Sequence, residues 1–327
     1  LLKGTEGSAL AEAPRQSMLA VDHRSRPLRV EHWIPQSSSK DGLWVLMMPG
    51  LGGDPDHFNW LARSLMQAGW PVVVLKHPGS DAASVQALLE GRQSFDGASA
   101  LRDRLADLVA VLDAQQRGDL NIPGTEVVLM GHSLGALTAL LASGAQSVPG
   151  MEQRCEAALA GLPLTNLSEL LQCELAAGRV LEGNAMASPP RAVVGLNSFG
   201  GLVWPHRSSK ALPIPLLMVG GTLDLITPPL DEQLPLLAGL AEHPASRLVV
   251  VEGASHFSPI RVDGQGKASE GDDLFRLGEE LVGVNPLSVQ RVIAHEVIRF
   301  LDSLNSPPPS NDAVHLMDAS SKTRWHR

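Results

Sequence analysis

The sequence predicts an α/β fold with a mostly parallel central sheet and helices on both faces. Continuous apolar runs such as 42–48 and 126–130 alternate along the chain with segments whose leucines recur at helical spacing. Strands that alternate with helices in this way form parallel sheets with right-handed crossovers. Strands that are apolar throughout indicate a sheet covered on both faces.

Composition and charge exclude several classes of protein. The chain has 327 residues, of which 44% are hydrophobic, enough for a large core within one α/β domain. No apolar run approaches the roughly 20 residues that a membrane-spanning helix needs, so we expect no integral membrane segment. The net charge is −9 and no cluster of Lys and Arg is present, which argues against a nucleic-acid partner. The oligomeric state stays open.

Two features bear on the cellular compartment. Residues 1–13 lack the basic start and apolar stretch of a signal peptide, which favours a cytoplasmic location. Cys155 and Cys173 lie in one segment and have neither the C-x-x-C nor the Cys/His spacing of a metal site. They can be two buried thiols or one disulfide that pins this segment, and the sequence does not choose between these states.

The N-terminal half predicts the first elements of the sheet. Residues 17–34 alternate about a turn at 25–27, as in a β-hairpin. The runs at 42–48 and 71–75 are typical of buried parallel strands. The predicted helices of this half are one over 57–68, ended by Gly69, and a long amphipathic one over 98–116.

The C-terminal half continues the alternation and adds two insertions. Its predicted elements are strands at 192–196, 216–219 and 248–251 and helices at 229–241 and 288–304. Leucine-rich residues 148–190 can form a lid over the site or an extra pair of packed helices. Residues 257–286 are rich in Gly and Asp and are predicted to be a loop insertion. These elements together predict one domain over 14–304, followed by a polar tail over 305–327.

A short motif after the apolar run 126–130 indicates the chemistry. Residues 131–135 are Gly-His-Ser-Leu-Gly, a G-x-S-x-G pattern between a predicted strand and a run of small residues. In that context Ser133 lies on a strained turn with its hydroxyl exposed, and the flanking glycines let helix and strand approach closely. The Leu134 N–H at the helix start can donate to an oxyanion. We therefore interpret Ser133 as a nucleophile.

The base that a serine nucleophile needs is selected among eleven histidines by position. Groups that assist catalysis in an open α/β sheet lie on loops just past the carboxyl ends of strands. His256 has this position, because it closely follows the predicted strand at 248–251. His132 directly precedes the serine, and its side chain is expected to point away from the hydroxyl. The other candidates, His206 and His243, are expected on the surface.

The acid that fixes the tautomer of the base is selected in the same way. Asp224 follows the predicted strand at 216–219 and precedes a predicted helix. Asp231 is a weaker candidate because it is expected on that helix. Glu252 is a second weaker candidate. It lies at the strand end, so close to His256 along the chain that its carboxylate is not expected to reach the His256 Nδ1. Asp224 is therefore the predicted acid.

The loop after the strand at 42–48 is predicted to supply a second oxyanion donor. Residues 49–53 are Pro-Gly-Leu-Gly-Gly, and their glycines allow the backbone to turn the Leu51 N–H inward. The other interpretation of this loop is a plain turn. Residues that can contact substrate are Gly52, His132 and His77. His77 and Asp81 can instead cap or hold a turn of their own.

Together these motifs resemble the α/β-hydrolase superfamily across residues 28–304. The resemblance rests on residues 49–52, 131–135, 221–224 and 255–257, with the nucleophile, acid and base in the Ser–Asp–His order of that fold. Residues 77–81 and 86–91 resemble a bacterial group, frequent in cyanobacteria, of predicted dienelactone hydrolases and platelet-activating-factor-acetylhydrolase-like esterases. The resemblance implies cofactor-free hydrolysis of esters, often with short acyl chains. True dienelactone hydrolases use a cysteine nucleophile, whereas this chain has Ser133.

The predicted function is that of a serine carboxylesterase for small-molecule esters with short to medium acyl chains. Ser133 would form the acyl-enzyme, His256 would act as base and Asp224 as acid, with neither metal nor cofactor. Three alternatives keep the same triad: a lipase or phospholipid acyl hydrolase, a thioesterase and a lactonase. An alternative of another class is a non-catalytic binding module on the same scaffold.

Overall fold

One sheet organises the part of the chain that the structure describes. This computed structural model describes residues 13–36, 42–161, 166–177, 181, 186–208, 211–260, 285–304 and 314–318. The strands are β1 (Arg15–Leu19), β2 (Leu28–Trp33), β3 (Leu43–Met48), β4 (Val72–Leu75), β5 (Glu126–His132), β6 (Ala192–Leu196), β7 (Leu216–Gly221), β8 (Arg247–Glu252) and β9 (Val314–Asp318). They form a nine-stranded sheet in the order β1-β2-β4-β3-β5-β6-β7-β8-β9.

The directions of the strands confirm the predicted, mostly parallel sheet. β1 pairs antiparallel with β2, as the hairpin over 17–34 predicts, and β2 pairs antiparallel with β4. The remaining neighbouring strands pair in parallel. Since parallel strands end at one edge of a sheet, the loops that follow β3, β5, β6, β7 and β8 are brought together there.

Helices and turns between the strands cover the sheet. They are a 3₁₀ turn (Pro55–Phe58), α1 (Asn59–Gln67), α2 (Ala82–Leu89), α3 (Gly97–Gln116), α4 (Leu134–Ala142), α5 (Met151–Ala160), α6 (Ser168–Ala176), α7 (Gln233–Leu240) and α8 (Pro286–Ser303). In β3, Trp44 and Leu46 belong to one buried apolar cluster, whereas Val45 and Met47 belong to another. Successive side chains of a strand point to opposite faces, so both faces carry a core. This explains the continuous apolar sequence of the strand.

Two helices differ from the sequence-based expectation. The apolar periodicity does not predict α2, which begins where the Asp81 carboxylate accepts a hydrogen bond from the Ser84 N–H at 3.0 Å. α7 begins at Gln233 and not at residue 229, because residues 228–232 first form a hydrogen-bonded turn. Both differences concern local turn and cap chemistry and leave the order of the elements unchanged.

The polar C-terminal tail predicted over 305–327 contains a strand. β9 pairs in parallel with β8 and forms one edge of the sheet. The described sheet therefore includes residues that lie beyond the predicted domain over 14–304. The sequence does not reveal this strand because five residues next to a polar, proline-rich stretch carry little apolar periodicity.

The insertion over 148–190 contains a packed pair of helices. α5 packs on α6, and α6 packs on α3. A disulfide joins Cys155 in α5 to Cys173 in α6, with 5.5 Å between the Cα atoms. The structure thus has the paired form of the two cysteine states that the sequence left open. Disulfides are more common outside the reducing cytosol, and the cytoplasmic location stays a prediction.

Two predicted features fall wholly or mainly outside the described residues. One is the N-terminal stretch 1–13, of which only residue 13 is described, and the other is the loop insertion over 257–286, of which residues 261–284 are not described. Among the described helices, none combines the length and the hydropathy needed to cross a membrane.

Candidate active site

Ser133 occupies the sharp turn between β5 and α4. Its φ of 51° and ψ of −118° hold a non-glycine residue in a strained backbone conformation. A Cβ on Gly131 would lie 2.1 Å from the Gly135 carbonyl carbon, and one on Gly135 would lie 2.0 Å from the Met48 carbonyl oxygen. Both glycines are therefore needed for the close approach of α4 to the sheet.

The predicted acid and base form a buried hydrogen-bonded pair. Asp224 follows β7 and His256 follows β8, and they are 2% and 6% exposed. The Nδ1 of His256 lies 3.0 Å from the Oδ2 of Asp224. Because an ionised carboxylate only accepts hydrogen bonds, the His256 proton lies on Nδ1. Its Nε2 is then free to accept a proton, which is the tautomer that a general base needs.

Neighbouring donors fix the orientation of the Asp224 carboxylate. Its Oδ1 accepts from the backbone N–H groups of Ile226 at 2.9 Å and Thr227 at 2.7 Å. Its Oδ2 accepts from the Asn197 side-chain amide at 2.8 Å and the Thr227 hydroxyl at 2.6 Å. The carboxylate cannot rotate without breaking several of these bonds at once.

Asn197 and Thr227 are site residues that sequence reasoning missed. Asn197 directly follows β6, and its φ of 46° lies in the left-handed region. The strand-end rule that selects Asp224 and His256 applies equally to Asn197. The Thr227 hydroxyl also lies 3.1 Å from the His256 Nδ1. In the sequence, the position of Thr227 three residues after the predicted acid is only a weak indication of this role.

The surroundings keep Asp224 ionised. Burial acts to raise its pKa, but the His256 ring and the hydrogen bonds from Asn197 and Thr227 outweigh burial and hold the pKa well below its usual range. A charged acid facing Nδ1 stabilises the imidazolium that forms when His256 takes up a proton.

The weaker candidates for acid and base lie elsewhere. Asp231, Glu252 and His206 are exposed. Among the described residues, Asp224 is the carboxylate that hydrogen-bonds the His256 ring. The geometry thus separates the predicted acid from both of its rivals.

His132 packs beneath the base. Its ring centroid lies 4.9 Å from that of His256, and its Nε2 donates to the His256 carbonyl oxygen at 3.1 Å. Burial, followed by the His256 ring, lowers the pKa of His132 to about 3. A buried neutral ring in this place supports the loop that carries the base. Its contact with substrate stays a prediction.

Within the described part of the chain, no hydrogen bond joins the predicted nucleophile to the predicted base. None of the hydrogen bonds among the described residues links the Ser133 hydroxyl to the His256 ring. Such bonds are often long in proteins without substrate and tighten when substrate binds. The loop after β3 lies close to the serine, since a Cβ added to Gly50 would lie 3.0 Å from the Ser133 Cβ.

The two predicted oxyanion donors, the N–H groups of Leu51 and Leu134, directly follow Gly50 and Ser133 in the chain. The backbone hydrogen bonds of the described residues do not use the N–H of Leu51 or of Leu134, the first residue of α4. The Gly52 N–H differs, because it donates to the Ser80 carbonyl at 2.8 Å. Of these groups, Leu51 and Leu134 have the free donors that an oxyanion requires.

His77 and Asp81 follow β4 and have partners within the fold. His77 is buried, and its Nδ1 lies 2.9 Å from the Oδ2 of Asp107 in α3. Asp81 caps α2 through Ser84. These positions fit the interpretation that both residues hold a turn, and a substrate contact of His77 stays a prediction.

Comparison with known proteins identifies the family. The model of the alpha/beta hydrolase family matches residues 45–264, which is more than half of the chain, and the protein belongs to this family. No curated protein matches the sequence.

Three solved structures illustrate the similarity of the fold. Dienelactone hydrolase from Anabaena variabilis is 18% identical with a TM-score of 0.51, over 88% of this chain and 97% of that chain. An esterase from Thermogutta terrifontis, Est2 with propionate bound, is 16% identical with a TM-score of 0.51, over 92% and 98%. Est1E from Butyrivibrio proteoclasticus is 13% identical with a TM-score of 0.50, over 89% and 99%. At these identities the likeness shows the fold alone.

Proposed function

We propose that the protein is a serine hydrolase that cleaves carboxylic esters through an acyl-enzyme on Ser133. One observation carries the proposal: a buried Asp224–His256 pair occupies the sheet edge at which Ser133 lies in a strained strand-to-helix turn. Nucleophile, base and orienting acid on such loops are the parts that acyl transfer to serine requires.

The chemistry follows from the tautomer of His256. Its Nε2 takes the hydroxyl proton while the Ser133 Oγ attacks the ester carbonyl carbon. The ring then gives that proton to the leaving alkoxide, and an alcohol departs. In the second half-reaction the ring deprotonates a water molecule that attacks the acyl carbonyl carbon, and it returns this proton to the Ser133 Oγ as the bond between Oγ and the acyl group breaks. The carboxylic acid is released and the free serine is restored. Asp224 keeps the ring oriented and stabilises its charged form in both halves.

The tetrahedral intermediate is stabilised by backbone donors in this proposal. The N–H groups of Leu51 and Leu134 hold the oxyanion, and the N-terminal end of α4 adds a positive dipole. A donor of this kind contributes about a hundredfold to a thousandfold in rate. Every step uses groups of the chain and water, so the proposal needs no cofactor.

Hydrolysis of p-nitrophenyl esters tests the proposal. Because Est2 binds propionate, a panel of acetate, propionate and butyrate esters is the first choice. The wild-type protein should release p-nitrophenol, and Ser133→Ala should remove this turnover while leaving the thermal unfolding transition in place. A folded wild-type protein that hydrolyses neither these esters nor a thioester or lactone would support the non-catalytic alternative.

A second candidate function, hydrolysis of long-chain acyl esters, is favoured by exposed leucines near the acid loop. Leu167 and Leu170 of the α6 region are exposed, and so is Leu225, which directly follows the acid. The Leu167 N–H donates to the Leu225 carbonyl at 3.4 Å, so this apolar part of the insertion borders the acid loop. An apolar surface beside a site is what a long acyl chain would contact.

A series of acyl-chain lengths separates the two functions. Short-chain specificity predicts that kcat/KM is highest for acetate to butyrate esters and falls for octanoate and longer chains. Long-chain specificity predicts the reverse order, and Leu167→Ser with Leu170→Ser should then lower kcat/KM for long chains only. Leu89→Ser is a matched control, since Leu89 is an exposed leucine at the end of α2.

A further inference from the structure

A buried guanidinium lies behind the oxyanion loop and is not part of the triad. Arg104, in the middle of α3, is 1% exposed, and a buried charge requires well-placed partners. Its Nη2 donates to the Pro49 carbonyl, its Nη1 to the Ser80 hydroxyl at 2.8 Å, and its Nε to the Thr138 hydroxyl at 3.2 Å. These three partners lie on three different elements of the site.

The contact with Pro49 holds the loop that carries the first oxyanion donor. The Pro49 carbonyl belongs to the peptide unit just before the one that contains the Leu51 N–H. On the other side, the Gly52 N–H donates to the Ser80 carbonyl at 2.8 Å. Arg104 therefore anchors the loop directly through Pro49 and indirectly through Ser80.

The peptide unit between these anchors is also held. The Gly50 carbonyl, which shares a peptide unit with the Leu51 N–H, accepts from the Gly53 N–H at 3.1 Å. Because a peptide unit is planar, a fixed carbonyl direction also fixes the opposite direction of its N–H. The orientation of the Leu51 N–H thus depends on neighbours that Arg104 and Ser80 hold in place.

The contact with Thr138 connects the same guanidinium to the residue that carries the second predicted oxyanion donor. Thr138 lies in α4, and its hydroxyl donates to the Leu134 carbonyl at 2.8 Å. One planar group therefore links the loop after β3 to the first turn of α4. A guanidinium is suited to this task because its donors diverge in a rigid plane, whereas a lysine ammonium lacks that geometry.

A carboxylate on the same helix offsets part of the cost of burying the Arg104 charge. Burial lowers the pKa of the guanidinium, whereas Asp107, one turn further along α3, acts to raise it. Asp107 in turn accepts from Arg24 at 2.6 Å and lies 2.9 Å from His77. The charged group thus sits in a hydrogen-bonded network and not in isolation.

We propose that Arg104 is a positioning residue for the oxyanion hole, which sets the placement of the Leu51 donor relative to the Leu134 donor. This inference rests on the proposed function, because an oxyanion hole has a role only if Ser133 forms a tetrahedral intermediate. Arg104 does not touch the reacting atoms. It acts through the Pro49 carbonyl, Ser80 and Thr138.

Kinetic constants of Arg104 variants test the inference. A displaced oxyanion donor weakens transition-state binding and leaves ground-state binding in place, so kcat should fall while KM changes little. Arg104→Lys should lower kcat for p-nitrophenyl acetate about a hundredfold, the lower end of the loss expected for one donor. The inhibition constant of a trifluoromethyl ketone, whose adduct with Ser133 carries an oxyanion, should rise by a similar factor.

Two further variants keep the test independent of folding. Thr138→Val removes one acceptor of the guanidinium without changing charge, and it should lower kcat and ketone affinity together, though less than Arg104→Lys. Arg154→Lys is the matched control, because Arg154 also donates to backbone carbonyls, those of Leu202 and Pro149, at 2.6 and 2.7 Å. It should leave both constants unchanged.

The outcomes distinguish this inference from the proposed function. If wild type turns over esters and Arg104→Lys and Thr138→Val keep its kcat and ketone affinity, or change only the unfolding temperature, the positioning role is refuted. If wild type neither hydrolyses esters nor binds the ketone, the proposed function fails and the inference falls with it.

Discussion

Replacing Asp224 by Asn probes the tautomer of His256. Two backbone N–H groups, of Ile226 and Thr227, point at Oδ1, so the amide oxygen of an Asn must take that place. The amide NH₂ then occupies the position of Oδ2, where it faces the Nδ1 of His256. An NH₂ group only donates, so it favours the imidazole with its proton on Nε2. That ring cannot accept the proton of the Ser133 hydroxyl.

The expected loss of kcat is large because the substitution leaves His256 in the tautomer that cannot act as a base. The fold should stay intact. The substitution changes one atom, and a wrong tautomer in a Ser–His–Asp triad lowers kcat on the order of 10⁴-fold. That factor corresponds to about 5 kcal/mol in the activation barrier. The Asn197 amide also loses its acceptor at 2.8 Å, which adds to the loss.

Steady-state hydrolysis of p-nitrophenyl acetate measures this loss. Asp231→Asn and Glu252→Gln are controls, because both carboxylates are exposed and were the rival candidates for the acid. They should keep the kcat of wild type. If Asp224→Asn retains more than about a tenth of wild-type kcat, or if a control variant loses activity instead, the assignment of Asp224 is wrong.

Other consequences concern stability. Relief of the strained φ of 51° should make Ser133→Gly more stable than Ser133→Ala by about 1 kcal/mol in urea unfolding, and equal stability would argue against strain. Folding lowers the pKa of His132 from 6.5 to about 3, so below pH 6.5 the unfolded chain takes up a proton on this ring and the folded protein does not. The contribution of His132 to the free energy of unfolding is therefore complete above pH 6.5 and should be lost progressively as the pH falls from 6.5 towards 3. His132→Asn should make that slope shallower by up to about 1.4 kcal/mol per pH unit; an unchanged slope contradicts the shift. Reducing Cys155–Cys173, 18 residues apart, should cost about 3 kcal/mol, and no change on reduction would mean that the bridge is absent.

The sequence predicted the parts of the fold that depend on burial. Runs such as Leu43–Met48 are apolar throughout because each of their residues is buried on one face of the sheet or the other. The edge strand Val314–Asp318 lacks such a pattern, and only its pairing with β8 reveals it. Periodicity records burial, so it identifies the middle of a sheet better than its edge.

In the candidate site, position along the chain selected the candidate acid and base, which the structure brings together, but not the residues that surround them. Asp224 and His256 follow strands closely, and that rule found them. Arg104 lies on a helix amid leucines, where a charged residue is normally assigned to the solvated face. Its burial depends on three partners far apart in sequence, and contacts of that kind cannot be derived from local patterns.

Covalent labelling of Ser133 is the most direct test of the proposed chemistry. A fluorophosphonate reacts with a serine whose hydroxyl is activated by a neighbouring base and whose oxyanion is stabilised. Intact-protein and peptide mass spectrometry should locate a single adduct on the peptide that contains Ser133. Ser133→Ala should remove the adduct, and Asp224→Asn should slow its formation. A folded wild-type protein that stays unlabelled, or one labelled at another serine, would contradict the assignment of Ser133 as the nucleophile.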